Sequence, residues 1–291
     1  MRFPILPVCL LLGLTLAPLP ARAQGAPTSA PPSTAGGPGD LLVAPTRVVL
    51  DMRKRTAELN LSNIGAAAAT YRISFVRMEM DEAGGISEKP FDKSQGNVDL
   101  SGLIRFSPRE VILGPGDSQT VRLQVRKPPD LAAGEYRIHM VFRAVPPTPE
   151  PTKEPSSPEP PKDISIKLIP VYGLAIPVIV RHGETSAKVS LSGLSFNPAT
   201  RSLRFQLDRQ GNQSVYGDLK AQWTPLGRAP EVLAEATGVA VYVPNDLRRM
   251  ALALATPKGG AAFGAGRLRL TYAVPTIQGG ALLAEAFLDL P

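Results

Sequence analysis

The sequence is poor in the residues that most enzyme chemistry needs. It has one cysteine and two histidines in 291 residues. The cysteine, Cys9, lies in an amino-terminal segment expected to be removed, so no disulfide can form in the mature chain. His139 and His182 are far apart in sequence, and no zinc set of ordinary spacing can be built around them. No GxSxG elbow occurs; Gly116-Asp117-Ser118 resembles part of one, but it lies in a turn that leads into a strand. The glycine patterns that cradle phosphates are also missing. Aromatic residues are only 5% of the chain, and the basic residues are spread along both halves without a Lys/Arg run. That argues against nucleic-acid binding. No apolar run is long enough to cross a bilayer as a helix. The expectation is a protein that is not an enzyme, holds no metal or cofactor, binds no nucleic acid and is not membrane-embedded. Surface binding is what remains.

What the sequence does have is proline and glycine, 31 and 26 residues respectively, together with two-residue alternation. Residues 1–23 read as a signal peptide: Arg2 is the positive end, Ile5 to Leu16 the apolar stretch, and Ala21-Arg22-Ala23 a small-x-small cleavage site. Losing Arg2 and Arg22 lowers the formal charge from +7 to +5. Residues 24–40 are Pro, Gly and Ser-rich and read as a disordered tail. The rest is long enough for two domains.

The first domain is expected over residues 41–182. Its opening strand breaks at Ala44-Pro45, as an edge strand does when it switches between sheets. Alternating strands follow at Thr56 to Ser62, Thr70 to Met80, Ile104 to Ile112 (broken at Ser107-Pro108), Thr120 to Val125 and Gly134 to Ala144. In the last of these Tyr136, Ile138, Met140 and Phe142 face inward, and Arg137, His139, Val141 and Arg143 outward. Residues 146–163 form a proline-rich loop. The chain is organised around the seventh strand, Ile164 to Arg181. Its even positions, from Ile164, Ile166 and Leu168 through Tyr172 and Leu174 to Ile176, Val178 and Val180, make a nearly unbroken apolar stripe. That strand is about three times the usual length. Two readings of the stripe stay open: it covers its own core throughout, or its first half is left for another chain. Seven strands in about a hundred residues suit an immunoglobulin-like sandwich. Seven more segments, from Ala187 to Leu290, read as a second sandwich over residues 183–291. The fold class is therefore all-β, two immunoglobulin-like β-sandwich domains preceded by a signal peptide.

Particular stretches of the first domain carry a resemblance. Ala44-Pro-Thr-Arg-Val-Val-Leu, Glu58-Leu-Asn-Leu-Ser-Asn, Phe106-Ser-Pro, Leu113-Gly-Pro-Gly-Asp-Ser-Gln-Thr-Val-Arg-Leu and Gly134-Glu-Tyr-Arg together resemble the amino-terminal domain of periplasmic pilus-assembly chaperones of the chaperone–usher pathway. The resemblance implies a boomerang of two sandwiches in the periplasm. It also implies donor-strand complementation, in which the chaperone lends apolar residues of its seventh strand to a pilus-like subunit and hands that subunit to an outer-membrane usher. The donors here would be Ile164, Ile166, Leu168, Tyr172 and Leu174. Arg47 matches the arginine that pairs with the subunit's terminal carboxylate, and the residue type suits that task. The lysine the family carries on its seventh strand has no match between Gly173 and Pro177; Lys167 lies too early and Arg181 too late. Self-association of the empty protein would hide an apolar edge. The alternative is a structural or adhesive envelope protein of the same architecture with no client.

Export with cleavage after Ala23 predicts a mature chain that begins at Gln24. Intact mass spectrometry of protein taken from the periplasm checks this, and a mass that retains residues 1–23 contradicts it.

Overall fold

The computed structural model describes residues 40–90, 100–146, 172–260 and 262–291. The first sandwich starts with a strand that splits. β1 (Leu41–Ala44) pairs with β3 (Thr56–Asn63) in one sheet, and β2 (Val48–Leu50) pairs with β10 (Gly173–His182) in the other. The chain changes sheets across Pro45, which has no N–H to continue the ladder, as an edge strand broken by proline is expected to do. β8 (Ser118–Val125) and β6 (Ile104–Ser107) complete the first sheet in the order β1-β3-β8-β6. The second sheet runs β2-β10-β9-β4-β5, with β9 (Gly134–Val145), β4 (Ala69–Met80) and β5 (Ile86–Lys89), while β7 (Glu110–Leu113) also pairs with β4.

Alternation places one side of each strand between these sheets. Leu59, Leu61, Leu123, Met140 and Phe142 close over the inward side chains of β10, Ile176, Val178 and Val180, all of them buried. Burial of this kind stabilises by about 1.5–3 kcal/mol per large apolar side chain.

The second sandwich packs β11 (Ala187–Asn197), β12 (Ser202–Gly211) and β15 (Leu247–Ala253) against β14 (Glu231–Val241), β13 (Val215–Pro225), β16 (Gly266–Ala273) and β17 (Leu282–Leu290). Each of the seven expected segments overlaps a strand, although β14 begins six residues before the expected Thr237 and ends at Val241. The core between its sheets holds Leu203, Phe205, Leu207, Trp223, Leu270 and Tyr272.

Both sandwiches belong to one compact unit. A small third core joins them, in which Met80 and Ile179 of the first meet Ala240 and Tyr242 of the second. Beside it Asn245 Nδ2 donates to the Met80 carbonyl at 2.8 Å, and the Arg249 N–H donates to the Glu82 carbonyl at 2.6 Å. Gly84 turns the β4–β5 hairpin with φ +88°, where an added Cβ would lie 2.2 Å from Arg248 Nε. Glycine answers both demands.

Several short elements escaped the periodicity, two of them in the first sandwich. Those two are β5 and the helical turn α1 (Leu100–Leu103), neither long enough to show a pattern. A more instructive difference concerns β9. His139 and Val141 point away from the first core, as expected, yet they are 3% and 4% exposed. Alternation in the middle of this sheet separates two buried environments, not core from water.

The inward and exposed members of the β10 stripe should respond differently to truncation. Ile176→Ala is expected to cost about 2–5 kcal/mol and Leu174→Ala less than about 1 kcal/mol in urea unfolding. Equal costs at the two positions would contradict this division of the stripe.

Candidate functional site

The site is built on β10, whose two edges are unequally used. One edge pairs with β9 over its whole length, from Gly173 opposite Arg143 to His182 opposite Gly134. The other pairs with β2 only at Val178, Ile179 and Val180. From Gly173 to Pro177 that second edge has no strand beside it among the described residues. The Ala144 N–H donates to the Tyr172 carbonyl at 3.0 Å, which fixes the direction of every following group. Tyr172, Leu174 and Ile176 turn their main-chain groups toward β9, while Gly173, Ala175 and Pro177 turn theirs toward the open side. Two N–H groups and three carbonyls are therefore offered to a neighbour. The missing N–H of Pro177 falls where the open stretch ends.

Of the residues expected to donate, Tyr172 and Leu174 lie at the start of β10 and are 54% and 38% exposed. Ile164, Ile166 and Leu168 lie outside the described residues. Ile176, Val178 and Val180 are in the core of their own sandwich.

Arg47 immediately precedes β2. Extending the β2–β10 register by one residue sets it level with Pro177, so it stands where the open edge stops. Its guanidinium stacks on Tyr216 of the second sandwich at 4.5 Å from the ring centre. Its Nε and Nη2 are buried without a hydrogen-bond partner among the described residues. Burial draws its pKa below the usual arginine range, against the pull of Tyr242 and Glu135 in the other direction.

Arg181, near the end of β10, is engaged within the first sandwich. Its Nε donates to Glu135 Oε2 at 3.0 Å, and the Glu135 side chain is almost wholly buried. Lys127 Nζ donates to the Arg181 carbonyl at 2.6 Å.

Arg137 is the residue that alternation assigned to solvent and that the fold brings into the site. It is paired with Ile179 on β10, and Ile179 with Val49 on β2. Arg47 is two residues before Val49, so Arg47 and Arg137 share the seam side of the sheet, one on each side of β10. Arg137 stacks on Tyr242 at 4.1 Å, with Nε and Nη1 buried and unpartnered among the described residues. Desolvation lowers its pKa as well. Strand pairing was the signal that could have found it, since pairing puts the two arginines on one face. A cavity of about 210 Å³ lies beside it, lined by Arg77, Glu79, Glu135 and Arg137 of the first sandwich and by Val243 and Pro244 of the second. Among the described residues no three His, Cys, Asp or Glu side chains come together to hold a metal.

No family model matches the chain, and no curated protein matches it. Among solved structures it is similar to the YadV chaperone, at TM-score 0.42 and 10% identity over 86% of this chain and all of that one. It is also similar to the Pseudomonas aeruginosa CupB2 chaperone (TM-score 0.44, 13% identity, 86% of this chain and 98% of that one) and to the E. coli chaperone DraB (TM-score 0.42, 12% identity, 86% and 96%). These likenesses are distant, and the reading that follows rests on the chain's own strands.

His139, between Arg137 and Val141 on β9, gives the fold a pH dependence. Burial, and then the charge of Arg137, push its pKa down to about 4, below the ordinary histidine value of about 6.5. The unfolded chain therefore binds the proton more readily, and stability is lost as pH falls from about 6.5 to about 4. The loss is on the order of 3 kcal/mol. His139→Leu should flatten that part of the stability–pH curve in urea titrations; an unchanged slope would contradict the assignment.

Proposed function

We propose that this protein is a periplasmic chaperone. In this reading it binds secreted pilus-like subunits by lending them the first half of its seventh strand, and it passes them to an outer-membrane usher. One observation carries the reading: β10 is paired on both edges from Val178 to Val180 and on one edge from Gly173 to Pro177. An unpaired edge with exposed apolar side chains templates another strand, and main-chain hydrogen bonds then give affinity while alternate side chains fill pockets. Tyr172 and Leu174 are the described members of the donated stripe, and Ile164, Ile166 and Leu168 extend it. The work is binding alone, with no reaction and no cofactor.

The open stretch lies in line with β2, which runs parallel to β10. A client strand laid there in the same direction brings its carboxyl end to Arg47. That supports Arg47 as the group that holds the client's terminal carboxylate, through charge-assisted hydrogen bonds.

The test is capture of periplasmic protein by the tagged mature chain, with the bound species identified by mass spectrometry. The wild type should retain a small secreted β-rich subunit. Leu174→Asp combined with Tyr172→Asp should retain at least about tenfold less, with a Tm within about 2 °C of wild type, because neither side chain is buried. An empty wild-type lane, from cells shown to make candidate subunits, would instead support an envelope protein without a client.

A further inference from the structure

Buried arginines in this chain are treated in two ways. Arg209, 3% exposed, is fully engaged. Its Nε donates to the Asn245 carbonyl at 2.7 Å, its Nη1 to the Gly211 and Gln213 carbonyls at 2.6 and 3.2 Å, and its Nη2 to Asp246 Oδ1 at 3.1 Å. Arg47 and Arg137 have no such acceptors among the described residues and rest on aromatic faces instead. Nη1 of Arg47 and Nη2 of Arg137 are the guanidinium nitrogens not sealed in this way. No hydrogen bond joins the pair to a local carboxylate: Glu135, which acts electrostatically on both arginines, accepts from Arg181 at Oε2 and keeps Oε1 buried without a partner among the described residues, and Glu79 is engaged by Arg77. Both arginines act electrostatically on Tyr242, although only Arg137 stacks on it. Two cations with donors to spare, on either side of β10 and each stacked on a tyrosine of the second sandwich, have the composition of an anion site.

We propose that Arg137 supplies the second cation of the carboxylate anchor, so that one carboxylate is held between Arg47 and Arg137 at the seam. The proposal rests on the reading of the open edge as the client's place, and its occupant is the carboxyl end of the strand laid there. A carboxylate has two oxygens, and each can accept from one guanidinium. β9 thereby provides what the strand beside it lacks, since no lysine or arginine occurs between Gly173 and Pro177. Tyr216 and Tyr242 hold the two guanidiniums flat, which preorganises their donors. The same stacking makes lysine a poor replacement, because its ammonium is neither planar nor forked.

The experiment follows the arginine Nε–H resonances of ¹⁵N-labelled mature protein during titration with sodium acetate, with acetamide as the uncharged control. Acetate should shift Arg47 and Arg137 along one binding curve, and acetamide should shift neither. Arg137→Ala should weaken the acetate response at Arg47 by about tenfold or more, and Arg137→Lys should restore only part of it. Neither variant is expected to lower Tm, because each removes or shortens a buried cation without an acceptor. An Arg47 response unchanged in Arg137→Ala, or an Arg137 resonance indifferent to acetate, overturns the proposal. Client capture separates the two readings. Acetate bound by both arginines with no client captured overturns the occupant; client captured with Arg137 silent overturns the site and leaves the donated strand.

Discussion

The structure depends on β10 being a shared wall. Its even residues Ile176, Val178 and Val180 close the first core, while Ile179, on the opposite face, joins Met80, Ala240 and Tyr242 between the sandwiches. From Val178 to Val180 this strand is buried on both faces and paired on both edges. Four residues earlier the same strand has an exposed Leu174 and an edge without a neighbour among the described residues. The rigid half holds the open half in register, so that half can offer a fixed pattern of donors and acceptors without folding on contact. Preorganisation of this kind lowers the entropy lost on binding.

The seam has an energetic oddity that the strand pairing explains only in part. A buried donor without a partner costs about 1–3 kcal/mol, and Arg47 and Arg137 each have two such nitrogens. A cation–π contact returns about 0.5–2 kcal/mol, which offsets part of that cost. If structure alone were served, apolar side chains of similar size would do better in these places. Arg209, with every nitrogen engaged, shows how the same chain buries an arginine for structural ends. The contrast separates an arginine with every nitrogen hydrogen-bonded from two that rest on rings with donors unused.

Much of this was legible in the sequence. Two-residue alternation marked both sets of strands, the sheet switch at Pro45 and the inward stripe of β10. It also placed Tyr172 and Leu174 ahead of the buried part of that stripe. What it could not supply was the second face. Alternation assigns each residue to core or to water, so it put Arg137, His139 and Val141 in solvent; it has no term for a second buried face, which for Arg137 is Tyr242 of the second sandwich. Ile179 belonged to a mixed set for the same reason, and its burial follows from Tyr242 and Ala240, some sixty residues further on. Arg47 was singled out by the resemblance of its stretch, while Arg137 came into view only with the strand register. β5 and α1 were too short to carry a period at all.

Amide hydrogen exchange at single-residue resolution distinguishes an open edge of β10 that takes another chain's strand from one that does not. In the protein alone, the N–H groups of Gly173 and Ala175 should exchange quickly, while those of Leu174, Ile176 and Val178, turned toward β9, are protected. In the purified complex with its client, Gly173 and Ala175 should become protected and Val178 should change little. Fast exchange at Gly173 and Ala175 in the complex, or protection already complete in the protein alone, would contradict strand addition at this edge.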